Sequence, residues 1–332
     1  MTEVETVVSS TASAKSTKQF WSRAGLLQIA GAMLAIAIAW RVADIFVLRL
    51  GETWVNILPS KVFPFLIMTV LFWKYRRGDV GAVLGLNGRQ FRMQLALGFL
   101  VGCSMYLLLD VVPTVIYGTF FDASYPLNLN ILFIDILWYQ FLFFFANALL
   151  EETLFRGLIQ NGLRSMFTPN RAILLSATVF GLWHVAWPIV KGLYGEFSPS
   201  EAAAMLLFAG VVGVFFGAYY EKFSSRATLT GPIIAHTLIN FLNECIKVGP
   251  DPSVQGPDIT FKSPVLLVIT FLFLVVTLGV FTKLAWSHRI EDLEATLVHL
   301  REKATDVIHY PKAPLHIGPP REPECCRDSI NG

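Results

Sequence analysis

Residues 129–156 read LNILFIDILWYQFLFFFANALLEETLFR, and this stretch decides the fold class. From Leu129 to Leu150 the only charge is Asp135; then Glu151 and Glu152 arrive together, with Arg156 one helical turn later. About 20 predominantly apolar residues are needed to cross a bilayer as a helix, so 129–150 predicts a membrane span ending in a charged cluster. The whole chain agrees. It is 54% hydrophobic and only 15% charged, with a mean hydropathy of +0.57. A soluble domain carries roughly a quarter charged residues, so charge this sparse leaves long stretches without a water-facing side.

Working outward, apolar runs recur at 25–48, 55–74, 95–117, 171–190, 203–220, 229–247 and 264–286. With 129–150 they make about eight candidate spans, and the expected architecture is an all-α, polytopic bundle. The first run follows a polar leader, 1–24, and is too long for the core of a cleaved signal peptide, so a retained signal anchor is expected. Basic residues alternate with each crossing: Lys15, Lys18 and Arg23 in the leader, then Lys74, Arg76, Arg77, Arg89 and Arg92, then Arg164 and Arg171, Lys222 and Arg226, and Lys283 and Arg289. The intervening links hold Glu52, Asp122, Glu196, Glu201, Asp251 and Asp258. Positive charge marks the cytoplasmic side, which predicts an even number of spans in a cell membrane with both termini inside. The Gly-rich basic segment 75–93 is expected to be an interfacial connector, and Gly213 and Gly217, four apart, allow close helix packing. The bundle is thus placed at 25–286, with a core at about 129–247.

Beyond the last span, 287–310 predicts an amphipathic cytoplasmic helix. Ile290, Leu293, Leu297, Leu300, Ala304 and Val307 repeat at spacings of three and four, so weak self-association through 290–307 competes with a helix lying on the membrane surface. The Pro- and Gly-containing tail 311–332 predicts disorder. A formal charge of +2 points to no nucleic-acid partner. Cys103, Cys245, Cys325 and Cys326 form neither a disulfide framework nor a metal knuckle.

Ionisable groups inside spans are costly and imply function. Three clusters stand out. Glu152 and Arg156 form an i,i+4 pair that neutralises itself, while Glu151 points about 100° away toward the bundle interior. Phe180-Gly181-Leu182-Trp183-His184 puts an imidazole deep in the fifth span. His236 and Asn240, four apart, share one helix face in the seventh. Each alone reads equally well as a helix-end charge cluster, a satisfied core histidine or interhelical hydrogen bonding. Together they fit one site. Glu151 and His184 lie about equally far from the turn at Thr168-Pro169, roughly 25 Å at 1.5 Å per residue. His236 reaches the same level if the fourth and fifth helices project past the cytoplasmic membrane surface.

One carboxylate, two imidazoles and an amide suit hydrolysis of a peptide bond. A carboxylate with an imidazole can position and deprotonate a water, and the second imidazole with the amide can donate to the oxyanion. Alternatively, Glu151, His184 and His236 could hold zinc with an open fourth position. The residues leave both routes open. A transporter with an ion or proton path is the competing class, drawing on Asp44, Asp110, Asp135, Gln140, Asn147, Asn243 and Glu244.

The three clusters, in order, resemble the EExxxR, FxxxH and HxxxN signatures of the CAAX-protease and bacteriocin-processing family, which includes type II prenyl endopeptidases; the match covers about 150–245. The resemblance implies an intramembrane endopeptidase in which Glu151 and His184 activate water. It implies that His236 and Asn240 bind the oxyanion and that Glu152, Arg156 and Phe180 support them. It further implies a membrane-associated substrate, such as a lipidated or membrane-embedded peptide surrounded by membrane lipid. An inactive immunity or scaffold member of the family is the alternative within it.

Overall fold

The computed structural model describes residues 25–43, 47, 54–193, 198–249 and 263–309. The leader 1–24 and the tail from 310 lie outside them, with Asp44, Glu52, Glu196, Asp251, Asp258, Cys325 and Cys326. The described chain is mostly helical. Helix α1 spans Leu26–Val42, α2 Trp54–Tyr75 and the short α3 Asp79–Val83. Then come α4 Phe91–Phe120, α5 Ile134–Arg164, α6 Pro169–Leu193, α7 Pro199–Phe223, α8 Thr230–Cys245, α9 Pro264–Ser287 and α10 Ile290–His309. Among the described residues α4, α5, α7 and α9 are long and apolar enough to cross a membrane, and Leu26–Trp40 is a shorter apolar helix. This is a membrane protein.

Two ends differ from expectation. Leu129–Ile131 and Ile246–Val248 form an antiparallel two-stranded ribbon, with Asn130 opposite Lys247, so the fold is not purely helical. The cause is local. The alternation Leu127-Asn128-Leu129-Asn130-Ile131 has the period of a strand, and Asn130 Nδ2 donates to the Gly249 carbonyl at 2.7 Å. Gly249, at φ +111°, turns the chain away immediately afterward. The ribbon ties the start of α5 to the end of α8. It also shortens α8 to Thr230–Cys245 from the expected 229–247, and starts α5 later than 129.

The helices pack where side chains are small. A Cβ on Gly102 would lie 2.7 Å from Cβ of Leu238 and 2.9 Å from the Ala235 carbonyl, and one on Gly98 2.7 Å from the Gly231 carbonyl. Gly98 and Gly102 thus seat α4 directly on the backbone of α8. Gly213 and Gly217 do the same for α7 on α6, against Ala177 and Ile173. Around α5, a core of Ile29, Met33, Met68, Phe72, Leu154, Phe155, Leu158 and Phe180 joins α1, α2 and α6. Outward-facing Phe99, Leu100, Leu272 and Val276 are exposed apolar residues, as expected of surfaces that face lipid. Ser198 and Ser263 cap α7 and α9, each followed by proline at the first helical position.

Wide π-helical turns interrupt α4 at 107–111, α5 at 153–160 and α7 at 219–223. The one in α5 begins directly after Glu152 and keeps the helix continuous to Arg164. Of the described residues, 291–309 form a unit of their own. Within it α10 exposes Leu297, Val298 and Leu300; Ala304 and Val307 have no described side chains.

Candidate active site

Glu151 lies in the last turn of the regular part of α5, buried, with a side chain 3% exposed. Its Oε2 lies 3.9 Å from Nε2 of His184 on α6 and 3.7 Å from Nε2 of His236 on α8. The carboxylate and both imidazoles therefore meet at one point. Oε2 itself is buried and has no hydrogen-bond partner among the described residues. A buried carboxylate oxygen without a protein donor is costly, and such atoms call for an explanation.

The two rings are held from behind. His184 Nδ1 lies 2.8 Å from the Phe180 carbonyl. A carbonyl only accepts, so Nδ1 carries the hydrogen and Nε2 is the nitrogen that faces Glu151. His236 Nδ1 lies 2.8 Å from Oε1 of Glu152, again an acceptor. Glu152 thus has two duties, because the same oxygen accepts from Arg156 Nη1 at 3.1 Å. The expected Glu152–Arg156 pair is present, fully buried. The bond from Glu152 to His236 connects residues 84 apart in sequence, and helical spacing could not have revealed it.

Phe180 packs the centre. Its ring centroid lies 4.3 Å from the Arg156 guanidinium carbon, 4.5 Å from the His184 ring and 6.1 Å from the His236 ring. Phe216 stacks on His236 at 5.4 Å and lies 5.6 Å from Arg156. Arg156 also donates to the Gly213 carbonyl at 3.3 Å, which only a close α6–α7–α5 approach permits. Asn240 sits one turn past His236, half-buried, and makes no hydrogen bond among the described residues. Asn147, buried one turn before Glu151, lies on the same face of α5. The site is less enclosed on one side, where the His184 side chain is 26% exposed.

One participant is absent from the three clusters. Lys61 of α2 donates from Nζ to Glu151 Oε1 at 3.4 Å, and lies 6.0 Å from the Trp183 ring. Lys61, inside the apolar run 55–74 rather than at its end like Lys74, is itself a signal, since a charge there is expensive. Of the remaining polar residues in spans, Asp135 is exposed, and Asp110 lies in the π-helical turn of α4.

Residues 133–242 match the family model described as Type II CAAX prenyl endopeptidase Rce1-like. Every residue of the three clusters falls inside that match. Over this segment, 133–242, the chain is similar to the type II CAAX prenyl endopeptidases, and the match supports the CAAX-protease and bacteriocin-processing family. The family implies a protease. No curated protein matches the chain. Lys61 lies outside the family segment, on a helix whose sequence carries none of the motifs.

Although three donor atoms face one another, no group of three or more His, Cys, Asp or Glu side chains among the described residues is arranged to hold a metal ion. Glu151 moreover already has a cation against its other oxygen.

Proposed function

We propose that the protein is an intramembrane endopeptidase that uses a glutamate-activated water, cutting a membrane-associated, prenylated or otherwise lipidated peptide on the cytoplasmic side. The observation that carries this reading is the buried Oε2 of Glu151, without a hydrogen-bond partner among the described residues and facing Nε2 of His184 and His236 at 3.9 and 3.7 Å. A water between these atoms would donate to the carboxylate and to the His184 lone pair. Glu151 takes its proton as the oxygen attacks the scissile carbonyl, giving a tetrahedral oxyanion. Asn240 Nδ2 and, in the protonated ring, His236 Nε2–H donate to that oxyanion; Glu152 supplies the countercharge behind His236. The proton held by Glu151 then passes to the departing amine, so acid and amine products leave together.

The wider architecture we propose is a bundle of about eight spans in a cell membrane, with both termini cytoplasmic, as the alternation of basic links supports. The exposed Leu297 and Leu300 of α10 support weak self-association through 290–307. The test is chemical. The purified chain in lipid vesicles is given a farnesylated peptide and its unmodified counterpart, and products are identified by mass. A single cut near the lipidated end supports the reading. Intact peptides, together with proton or ion flux across the same vesicles, would replace it with the transport reading.

A further inference from the structure

The three family clusters leave the site with an unbalanced charge. Glu151 and Glu152 contribute two carboxylates, and Arg156 contributes one guanidinium. The groups facing Glu151 are Lys61 from α2, His184 from α6, His236 from α8, and Glu152 and Arg156 from its own helix. Lys61 supplies the fourth charge, two against two, in a region where an unpaired ion is costly. It also breaks the symmetry of the carboxylate, since Nζ holds Oε1 at 3.4 Å while Oε2 has no hydrogen-bond partner among the described residues. A carboxylate with one oxygen fixed has its plane and its free oxygen oriented. Here the free oxygen is the one that meets both Nε2 atoms.

We infer that Lys61 is a positioning residue of this site: it anchors Oε1 of Glu151 and so aims Oε2 at the point shared by His184 and His236. The inference rests on the hydrolytic reading above and extends it to a helix outside the family segment. The site is therefore assembled from four helices, with α2 contributing charge rather than only packing. A residue that acts through another should leave substrate binding nearly intact while slowing turnover.

The experiment compares Lys61→Met, which keeps length and volume, with Lys61→Arg, which keeps charge. Both are measured as full-length chains in vesicles with the peptide that the wild type cleaves. We expect Lys61→Met to lower kcat about 100-fold, within the range a positioned general base contributes, with KM changed less than about threefold. Lys61→Arg should recover most of that loss. Turnover by Lys61→Met at the wild-type rate would overturn the inference, as would an equal loss in both variants with a raised KM. A second measurement does not need activity. In thermal unfolding, Lys61→Met should lower Tm clearly in the wild-type background and much less beside Glu151→Gln, where the charge to be balanced is gone. Equal shifts in the two backgrounds would mean that Lys61 and Glu151 are not coupled. If the wild type cleaves nothing, the hydrolytic reading fails by itself, and this thermal cycle still decides the pairing.

Discussion

Removing the charge of Glu152 gives the sharpest test of the buried cluster. The Glu152 and Arg156 side chains are 0% and 1% exposed, joined at 3.1 Å. In Glu152→Gln, the guanidinium cannot give up its proton and cannot reach water. Breaking a buried pair by deleting one partner costs about 3–5 kcal/mol. Part of that is recovered. The glutamine oxygen can still accept from Arg156 and His236, a neutral bond worth about 1 kcal/mol. The Phe180 face, 4.3 Å away, already contributes in the wild type and does not add to the recovery. The net expectation is about 2–4 kcal/mol. At roughly 2–4 °C per kcal/mol for a domain of 150–250 residues, Tm should fall roughly 4–16 °C. Thermal unfolding in detergent, followed by tryptophan fluorescence, reads this directly. The double variant Glu152→Gln/Arg156→Met removes both charges and should regain at least half the loss, because neutral replacement of a buried pair is nearly free. A single variant as stable as the wild type, or a double variant whose loss is the sum of the two singles, would refute the assignment of this pair as mutually compensating.

Three further outcomes are expected. Asn240→Ala should lower kcat about 10²–10³-fold with little change in Tm, since removal of one oxyanion donor has that effect; steady-state kinetics with a cleaved peptide decides it, and an unchanged kcat would remove Asn240 from the site. Gly102→Ala should destabilise by about 1–3 kcal/mol, because the new methyl meets Leu238 Cβ at 2.7 Å and α8 must shift, carrying His236 with it. Turnover should fall as well, and a fully stable and active variant would mean that the crossing tolerates the methyl. Prolonged treatment with a strong chelator should leave activity unchanged, with metal analysis finding less than one zinc per chain; stoichiometric zinc, or loss of activity restored by zinc, would favour the metal route.

The sequence made most of the site legible because each motif is local. The i,i+4 pairing of Glu152 with Arg156 follows from helix geometry alone, and the equal distance of Glu151 and His184 from the Thr168-Pro169 turn placed them at one level. What stayed hidden was non-local. The bond from Glu152 to His236 depends on how α8 lies against α5, and that is set by Gly98 and Gly102 on a third helix, α4. Lys61 stood in plain view as a charge in an apolar run, yet nothing near it in sequence said which carboxylate it would meet. In sequence, the ribbon of Leu129–Ile131 with Ile246–Val248 reads as the ends of two spans, because three-residue strands are too short to announce a period beside long apolar helices. The π-helical turn at 153–160 likewise leaves no mark in hydrophobic spacing, although it begins at the two glutamates.

The central claim is that Glu151 provides the base for peptide hydrolysis. The most direct test is single-turnover cleavage of a lipidated peptide by the wild type and by Glu151→Gln, both shown to be folded in the same vesicles at the assay temperature. The account predicts cleavage by the wild type and a loss of at least about 10²-fold in the variant, whose amide cannot take the proton of water. Cleavage at a comparable rate by Glu151→Gln would contradict it.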